Sequence, residues 1–219
     1  MNADLVSVVI PSYNHREFID SAIASVIAQN YPAVELIVID DGSTDGSPDW
    51  LRRIYGKRIA HLMTRENRGT HTAINEGIGL ASGKYIAILN SDDVFEPTRL
   101  ATLLESMQAN DWDIAFSNLT FIDAQGRPCN DHKIAIGHAR DLKQLLSFSI
   151  EEGIIRQNFL VTSSNLLIKR EIFDRVGTFR GFRYCHDWDF LLRCLGYCSF
   201  GWVRQPLLRY RIHKHNTIR

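Results

Sequence analysis

Four short runs of aliphatic and β-branched residues alternate with segments of helical period in the first 110 residues, and this alternation restricts the fold more than any other feature. Leu5 to Ile10, Val34 to Ile39, Ile59 to Met63 and Tyr85 to Leu89 read as strands. Between the first two, Phe18, Ile19, Ala22, Ile23, Val26 and Ile27 recur at helical spacing. Asp45 or Ser47 can cap a second helix through Trp50, Leu51 and Ile54, and a third is expected over Thr70 to Leu80, with Gly83 beyond its end. Pro97 marks the start of a fourth, through Leu100, Leu103, Leu104 and Met107. Strands apolar on both faces and joined by helices predict an α/β fold, a mainly parallel sheet covered by helices.

The second half is less regular. Ile114 to Leu119 reads as a strand, residues 123–126 as a turn, and Leu142 to Phe148 as a helix among variable loops. Val161 to Ile168 reads as a strand, Arg170 to Val176 as a short helix closed by Gly177, and Asp187 to Leu195 as another helix. Phe200 to Val203 and Leu207 to Ile212 are expected as two final strands. No Pro-, Gly- or Ser-rich linker divides the 219 residues, so one domain is expected over 1–219.

Acidic and basic residues balance at 25 each, which argues against a nucleic-acid partner or a polybasic membrane patch. The run at residues 5–10 is too short for a secretory signal, and no stretch reaches the length of a membrane helix. The expected location is therefore cytoplasmic, compatible with peripheral contact at the inner membrane face. Cys129, Cys185, Cys194 and Cys198 form no C-x-x-C pair and match no zinc module, so reduced thiols are the better reading.

Ligands of open α/β sheets sit beyond the carboxyl ends of the strands. Three polar clusters fall there: residues 11–14 after the first strand, 40–45 after the second, and 90–93 after the fourth. Taken singly, each has a plain structural explanation. An Asp-Gly pair often only turns the chain. A carboxylate such as Asp93 before a proline-started helix often caps it. Their repetition along one edge is what such explanations leave over.

The order of the motifs resembles family 2 glycosyltransferases of the GT-A fold. Ser7-Val-Val-Ile-Pro-Ser-Tyr-Asn14, Val38-Ile-Asp-Asp-Gly-Ser-Thr-Asp45, Asn67-Arg-Gly69, Ala81-Ser-Gly-Lys-Tyr-Ile86 and Leu89-Asn-Ser-Asp-Asp93 are similar to that family's successive signatures. Lys169 to Phe179, His186 to Arg193 and Tyr210 to His213 resemble its acceptor-side half. The resemblance covers residues 5–217 and implies a Rossmann-like mixed, mainly parallel sheet flanked by helices. It implies a nucleotide-sugar-binding half over 1–110 and an acceptor-side half over 111–219, with 129–161 expected as the acceptor region.

The implied reaction is an inverting displacement that moves a sugar from a nucleoside-diphosphate donor, with UDP favoured, onto an acceptor hydroxyl. The acceptor would be a saccharide, lipid-linked or protein partner. By this resemblance Pro11, Tyr13, Asn14, Asp40, Asp41, Gly69, Asn90, Ser91 and Asp92 bind the nucleotide sugar. Tyr13 would stack on the base, and an aspartate suits uracil because it accepts from N3–H. Asp92 and His213 would hold Mn²⁺ or Mg²⁺, whose role is to offset the diphosphate charge. Asn90 stands where the metal motif usually begins with an aspartate and offers a neutral oxygen instead.

Asp187 matches the catalytic base, while Asp189, two residues on along a helix, points elsewhere. Trp188 would floor a sugar site or pack in the core; His215 is a neighbouring decoy for His213, and Asn216 would order the loop. Such transferases often carry a C-terminal partner domain, and a longer parent protein is compatible with this chain. A binding module without turnover is the alternative that Asn90 supports. A nucleotidyltransferase or dinucleotide-binding domain needs a Gly-rich loop after the first strand, where residues 11–14 stand instead.

Overall fold

A computed structural model describes residues 3–214 and 216. Among these residues eight strands form one sheet: β1 (Val6–Ser12), β2 (Val34–Asp40), β3 (His61–Thr64), β4 (Tyr85–Ile88), β5 (Val94–Phe95), β6 (Ile114–Ile122), β7 (Leu167–Lys169) and β8 (Phe200–Arg211). Among the described residues eight helices accompany them: α1 (Ile19–Ile27), α2 (Ser47–Tyr55), α3 (Thr70–Leu80), α4 (Arg99–Asn110), α5 (Lys133–Leu145), α6 (Ile150–Arg156), α7 (Glu171–Val176) and α8 (His186–Cys194). The strand order is β3-β2-β1-β4-β7-β6-β8-β5. β3, β2, β1 and β4 run parallel, as do β6 and β8, while β7 and β5 run antiparallel to their neighbours. The expected mixed, mainly parallel α/β sheet is what forms.

Every residue of β1 is buried, as a central strand covered on both faces requires. One core layer joins Val8, Ile10, Ile19, Ile23 and Leu100, and the other joins Val9, Ile37, Ile74, Ile86 and Phe190. In α1, Ile19, Ala22, Ile23 and Val26 form the buried stripe that the i, i+3, i+4, i+7 spacing predicts.

The register brings the polar clusters together. Val9 lies opposite both Ile37 and Ile88, and Pro11 lies opposite Ile39. The chain after Ser12, after Asp40 and after Ile88 therefore leaves the sheet at one edge.

Gly83 shows why the Ala81-Ser-Gly segment has its composition. Its N–H donates to Ser7 Oγ at 2.8 Å, and Ser7 Oγ in turn donates to Glu35, which also accepts from Ser82. A Cβ on Gly83 would lie 2.6 Å from Ser7 N and Ser7 Oγ and 2.8 Å from Leu5 O. Gly83→Ala is therefore expected to lower stability by about 1–3 kcal/mol, because rigid backbone must move. The midpoint of urea unfolding reports this, and an unchanged midpoint would contradict the close approach.

The structure departs from expectation in four places, three of them in the second half. The single helix expected near Leu142 to Phe148 is two, α5 and α6, and the second starts at a Ser149–Glu152 capping box. The strand expected over Val161 to Ile168 is a turn with a short 3₁₀ segment, and only β7 is extended. The two last strands are one, β8, whose register against β6 shifts beside Pro206, a residue without an N–H for the ladder. β5 is an additional strand, two residues long, paired to β8.

The four cysteines form no disulfide. Among the described residues, no helix is long and apolar enough to cross a membrane.

Candidate active site

A cavity of about 270 Å³ opens at the carboxyl edge of β1, β2 and β4. Of the residues expected to bind a donor, Pro11, Tyr13, Asp41, Asn90, Ser91 and Asp92 line it, and Asp187 faces it from the start of α8. Asn14, Asp40 and Gly69 are not among its lining residues and support it from behind.

Asp40 is fully buried, and its two carboxylate oxygens accept from Ser43 N (2.9 Å) and Ser43 Oγ (2.6 Å). Asn14, at φ 51°, ties the first loop to the second: its N–H donates to Ser43 Oγ and its Oδ1 accepts from Thr44 N, both at 2.8 Å. Gly69 has φ 91°, a conformation that favours glycine, and its N–H donates to Asp41 Oδ2 at 2.9 Å.

Asp41 is the better placed of the aspartate pair. Its Oδ1 accepts from Arg68 N at 2.8 Å and from the Arg65 guanidinium, and its Oδ2 from Gly69 N. A carboxylate has about four lone-pair sites, so these bonds orient it and leave acceptor capacity. Tyr13, 47% exposed at the cavity wall, is no core aromatic.

Asn90 joins the end of β4 to the turn at residues 162–164. Its N–H donates to Ser164 Oγ and its Nδ2 to Thr162 Oγ1, both at 2.9 Å, while its Oδ1 accepts from Ser163 Oγ at 3.3 Å. A carboxylate at this position could not donate to Thr162 and would add a third acid to Asp92 and Asp93.

That turn is strained. Val161 has φ 71°, and Thr162 N–H closes onto Leu160 O at 2.8 Å, the pattern of the rare γ-turn. Buried Arg99 braces it through Ser164 O (3.2 Å) and Asn165 Oδ1 (3.4 Å). Asp93 does not cap a helix. It is buried, accepts from Ser164 Oγ (2.6 Å) and Arg211 N (3.0 Å), and its pKa is raised by burial and by Asp92.

Asp92 meets the end of the chain. Its Oδ2 lies 3.0 Å from His213 Nε2. Burial would raise the Asp92 pKa, but the bond to His213 and the nearby His15 outweigh it and hold the carboxyl below the usual range. His15, His213 and Asp92 bring ligand atoms within 4.8 Å of one another, the one such metal-capable group among the described residues.

His15 had no signal in the sequence beyond its place one residue after Asn14. Its Nδ1 is 2.8 Å from Ser91 Oγ, and burial lowers its pKa against the pull of Asp92. His215 lies outside the described residues. Asn216 lines the cavity, and its Nδ2 donates to Arg211 O at 3.0 Å.

Asp187 is 7% exposed. Its Oδ1 accepts from Trp188 N (2.8 Å) and Asn158 Nδ2 (3.3 Å), and burial raises its pKa in spite of these bonds and of His186. Asp189 is turned away, paired with Arg193 at 2.9 Å. Trp188 packs against the core and donates from Nε1 to Ile154 O at 2.7 Å. Tyr210 also lines the cavity; burial and the surrounding carboxylates raise its pKa, so it keeps its proton and can donate. Arg183 is the one Lys or Arg among the described lining residues, which also include Asp41, Asp92 and Asp187.

Residues 7–190 match the sequence pattern of Glycosyl transferase family 2. The chain is 29% identical over 217 residues to an uncharacterized glycosyltransferase of Rickettsia prowazekii, covering 97% of this chain and 65% of that one. Its fold is similar to that of S. aureus TarS 1-349 in complex with UDP (TM-score 0.74, 16% identity, 95% of this chain and 60% of that one). It is also similar to the mannosyltransferase PcManGT from Pyrobaculum calidifontis in complex with GDP-Man and Mn2+ (TM-score 0.71, 21% identity, 99% and 59%). The chain thus spans less than two thirds of the length of each of these proteins.

Proposed function

The chain belongs to glycosyl transferase family 2, and from that premise we propose that it moves a sugar from a UDP-sugar to an acceptor hydroxyl by a metal-assisted displacement that inverts the anomeric centre. The observation that carries this reading is the convergence of Tyr13, Asp41, Asp92 and Asp187 on one cavity. A base face, a base-edge acceptor, a metal-competent carboxylate and a buried carboxylate base then surround a single bound donor.

Tyr13 stacks on the uracil, and Asp41, oriented by Gly69 and Arg68, accepts its N3–H. Asp40 and Asn14 shape the two loops that hold these groups. Asp92 and His213 would hold Mn²⁺ or Mg²⁺; the donor set of a carboxylate and an imidazole fits such an ion, and their 3.0 Å separation suits neighbouring ligands. Such an ion would offset the diphosphate charge and so make the nucleoside diphosphate a better leaving group. Arg183 adds positive charge to the cavity lining. Asp187 takes the proton of the acceptor hydroxyl as it attacks. The acceptor is a saccharide, lipid-linked or protein partner.

The structural neighbours bind different nucleotides, UDP in one and GDP-Man in the other, so the fold does not choose the base. The choice of uridine rests on Asp41 and Tyr13. Calorimetric titration with Mn²⁺ is expected to show UDP binding more tightly than GDP or ADP. Equal affinities, or a preference for GDP, would remove the uridine assignment. Donor hydrolysis under the same conditions separates a transferase from a binding module without turnover.

A further inference from the structure

We propose that His15 is a third protein ligand of the metal, completing with Asp92 and His213 a set of two imidazoles and one carboxylate that favours Mn²⁺ over Mg²⁺. This rests on the reading that the site takes a divalent ion, and it adds a ligand from the other end of the chain.

Three features support it. The ligand atoms of the three residues already lie within 4.8 Å of one another, and His213 Nε2 and Asp92 Oδ2 are 3.0 Å apart. Neighbouring ligands of an octahedral ion with bonds near 2.1 Å are separated by about 3 Å, so little movement is needed. The second feature is the partner of His15. A ligating histidine usually donates its other ring N–H to an oxygen, which sets its tautomer. His15 Nδ1 lies 2.8 Å from Ser91 Oγ. With Nδ1–H donated there, the lone pair of His15 rests on Nε2, and adjacent residues 91 and 92 supply an orienting oxygen and a ligand.

The third feature is rigidity. Phe18, 4% exposed, packs its ring against both imidazoles, at centroid distances of 5.8 Å to His15 and 4.6 Å to His213. The two imidazoles meet edge-on at 5.7 Å. The backbone of His15 is held as well: its carbonyl accepts from Phe18 N and Ile19 N, both at 2.9 Å, and Asn14 before it is locked to Ser43 and Thr44. Both rings are therefore placed before any ion arrives, as a built site requires. Mg²⁺ prefers oxygen ligands and keeps its waters, so two imidazoles tilt the site away from it.

The test is pulsed electron paramagnetic resonance on the full chain with Mn²⁺ and UDP. Wild type should show nitrogen modulation from two coordinated imidazoles, and growth on nitrogen-15 histidine should convert both signals. His15→Gln should leave the modulation of one imidazole and weaken Mn²⁺ binding in the presence of UDP by roughly tenfold or more. Mg²⁺ should compete poorly with Mn²⁺ in wild type and better in His15→Gln. A single coordinated nitrogen in wild type, or unchanged modulation in His15→Gln, would overturn the proposal while leaving the metal reading intact. The wild-type count decides even if the variant does not fold. Wild type that binds UDP but shows no bound Mn²⁺ would remove the metal reading itself, and this proposal with it.

Discussion

Asp92→Ala is expected to abolish turnover and to remove the part of UDP affinity that depends on Mn²⁺. Asp92 is the carboxylate in the cluster with His15 and His213, and it would supply the hard, charged oxygen that a divalent ion bound to a diphosphate requires. Two neutral imidazoles alone would not offset the charge of the ion. Several kcal/mol of leaving-group stabilisation would go with it, enough to take the rate below detection.

The fold should survive. Arg211 Nε bonds to the backbone carbonyl of Asp92, not to its side chain, and that contact remains in the variant. The charge lost is one that raises the pKa of the adjacent buried Asp93, so its removal relieves repulsion there. Calorimetry with UDP and with UMP, each with and without Mn²⁺, isolates the effect: the metal-dependent gain for UDP disappears, and UMP binding changes little. A variant that retains the Mn²⁺-dependent gain would place the metal elsewhere.

The part of the cavity built from the first 110 residues was legible in the sequence because its elements are local and periodic. α3 spans Thr70–Leu80, as its apolar spacing predicts, and the polar clusters mark the sheet edge because parallel strands all end there. What could not be read depends on neighbours distant in sequence. Residues 161–168 are rich in aliphatic and hydroxyl side chains and pass for a strand. They turn because Asn90, Asp93 and Arg99 offer partners to Thr162, Ser164 and Asn165 that a strand would not meet.

Asp40 and Asp41 look equivalent as letters. Asp40 ends β2 and closes onto Ser43, whereas Asp41 is captured by the loop at residues 65–69, so only one of them reaches the cavity. His15 is a lone histidine in a loop. Its meaning comes only from Asp92, 77 positions away in the chain, and from His213 near its end.

Asp187→Asn is expected to leave donor binding nearly intact and to lower the rate by on the order of 10²–10⁴, the usual worth of a general base. Burial raises the pKa of Asp187, which makes it a stronger base toward the acceptor hydroxyl than an ordinary carboxylate. The sign of the pH dependence follows. The active form is the carboxylate, so wild-type activity should be full at higher pH and fall as pH drops through this raised pKa. That acid limb should sit above the usual carboxylate range.

In Asp187→Asn the limb assigned to this group should vanish from whatever rate remains. Asparagine keeps an oxygen for Trp188 N–H and Asn158 Nδ2, so the start of α8 should hold its shape. Asp189→Asn is the control: its carboxylate is spent on Arg193 at 2.9 Å, and its loss should cost little in rate. Donor hydrolysis with Mn²⁺, followed across pH for wild type and both variants, makes the comparison without a known acceptor. Wild-type turnover by Asp187→Asn, or an acid limb that persists in it, would show that the proton goes to another group.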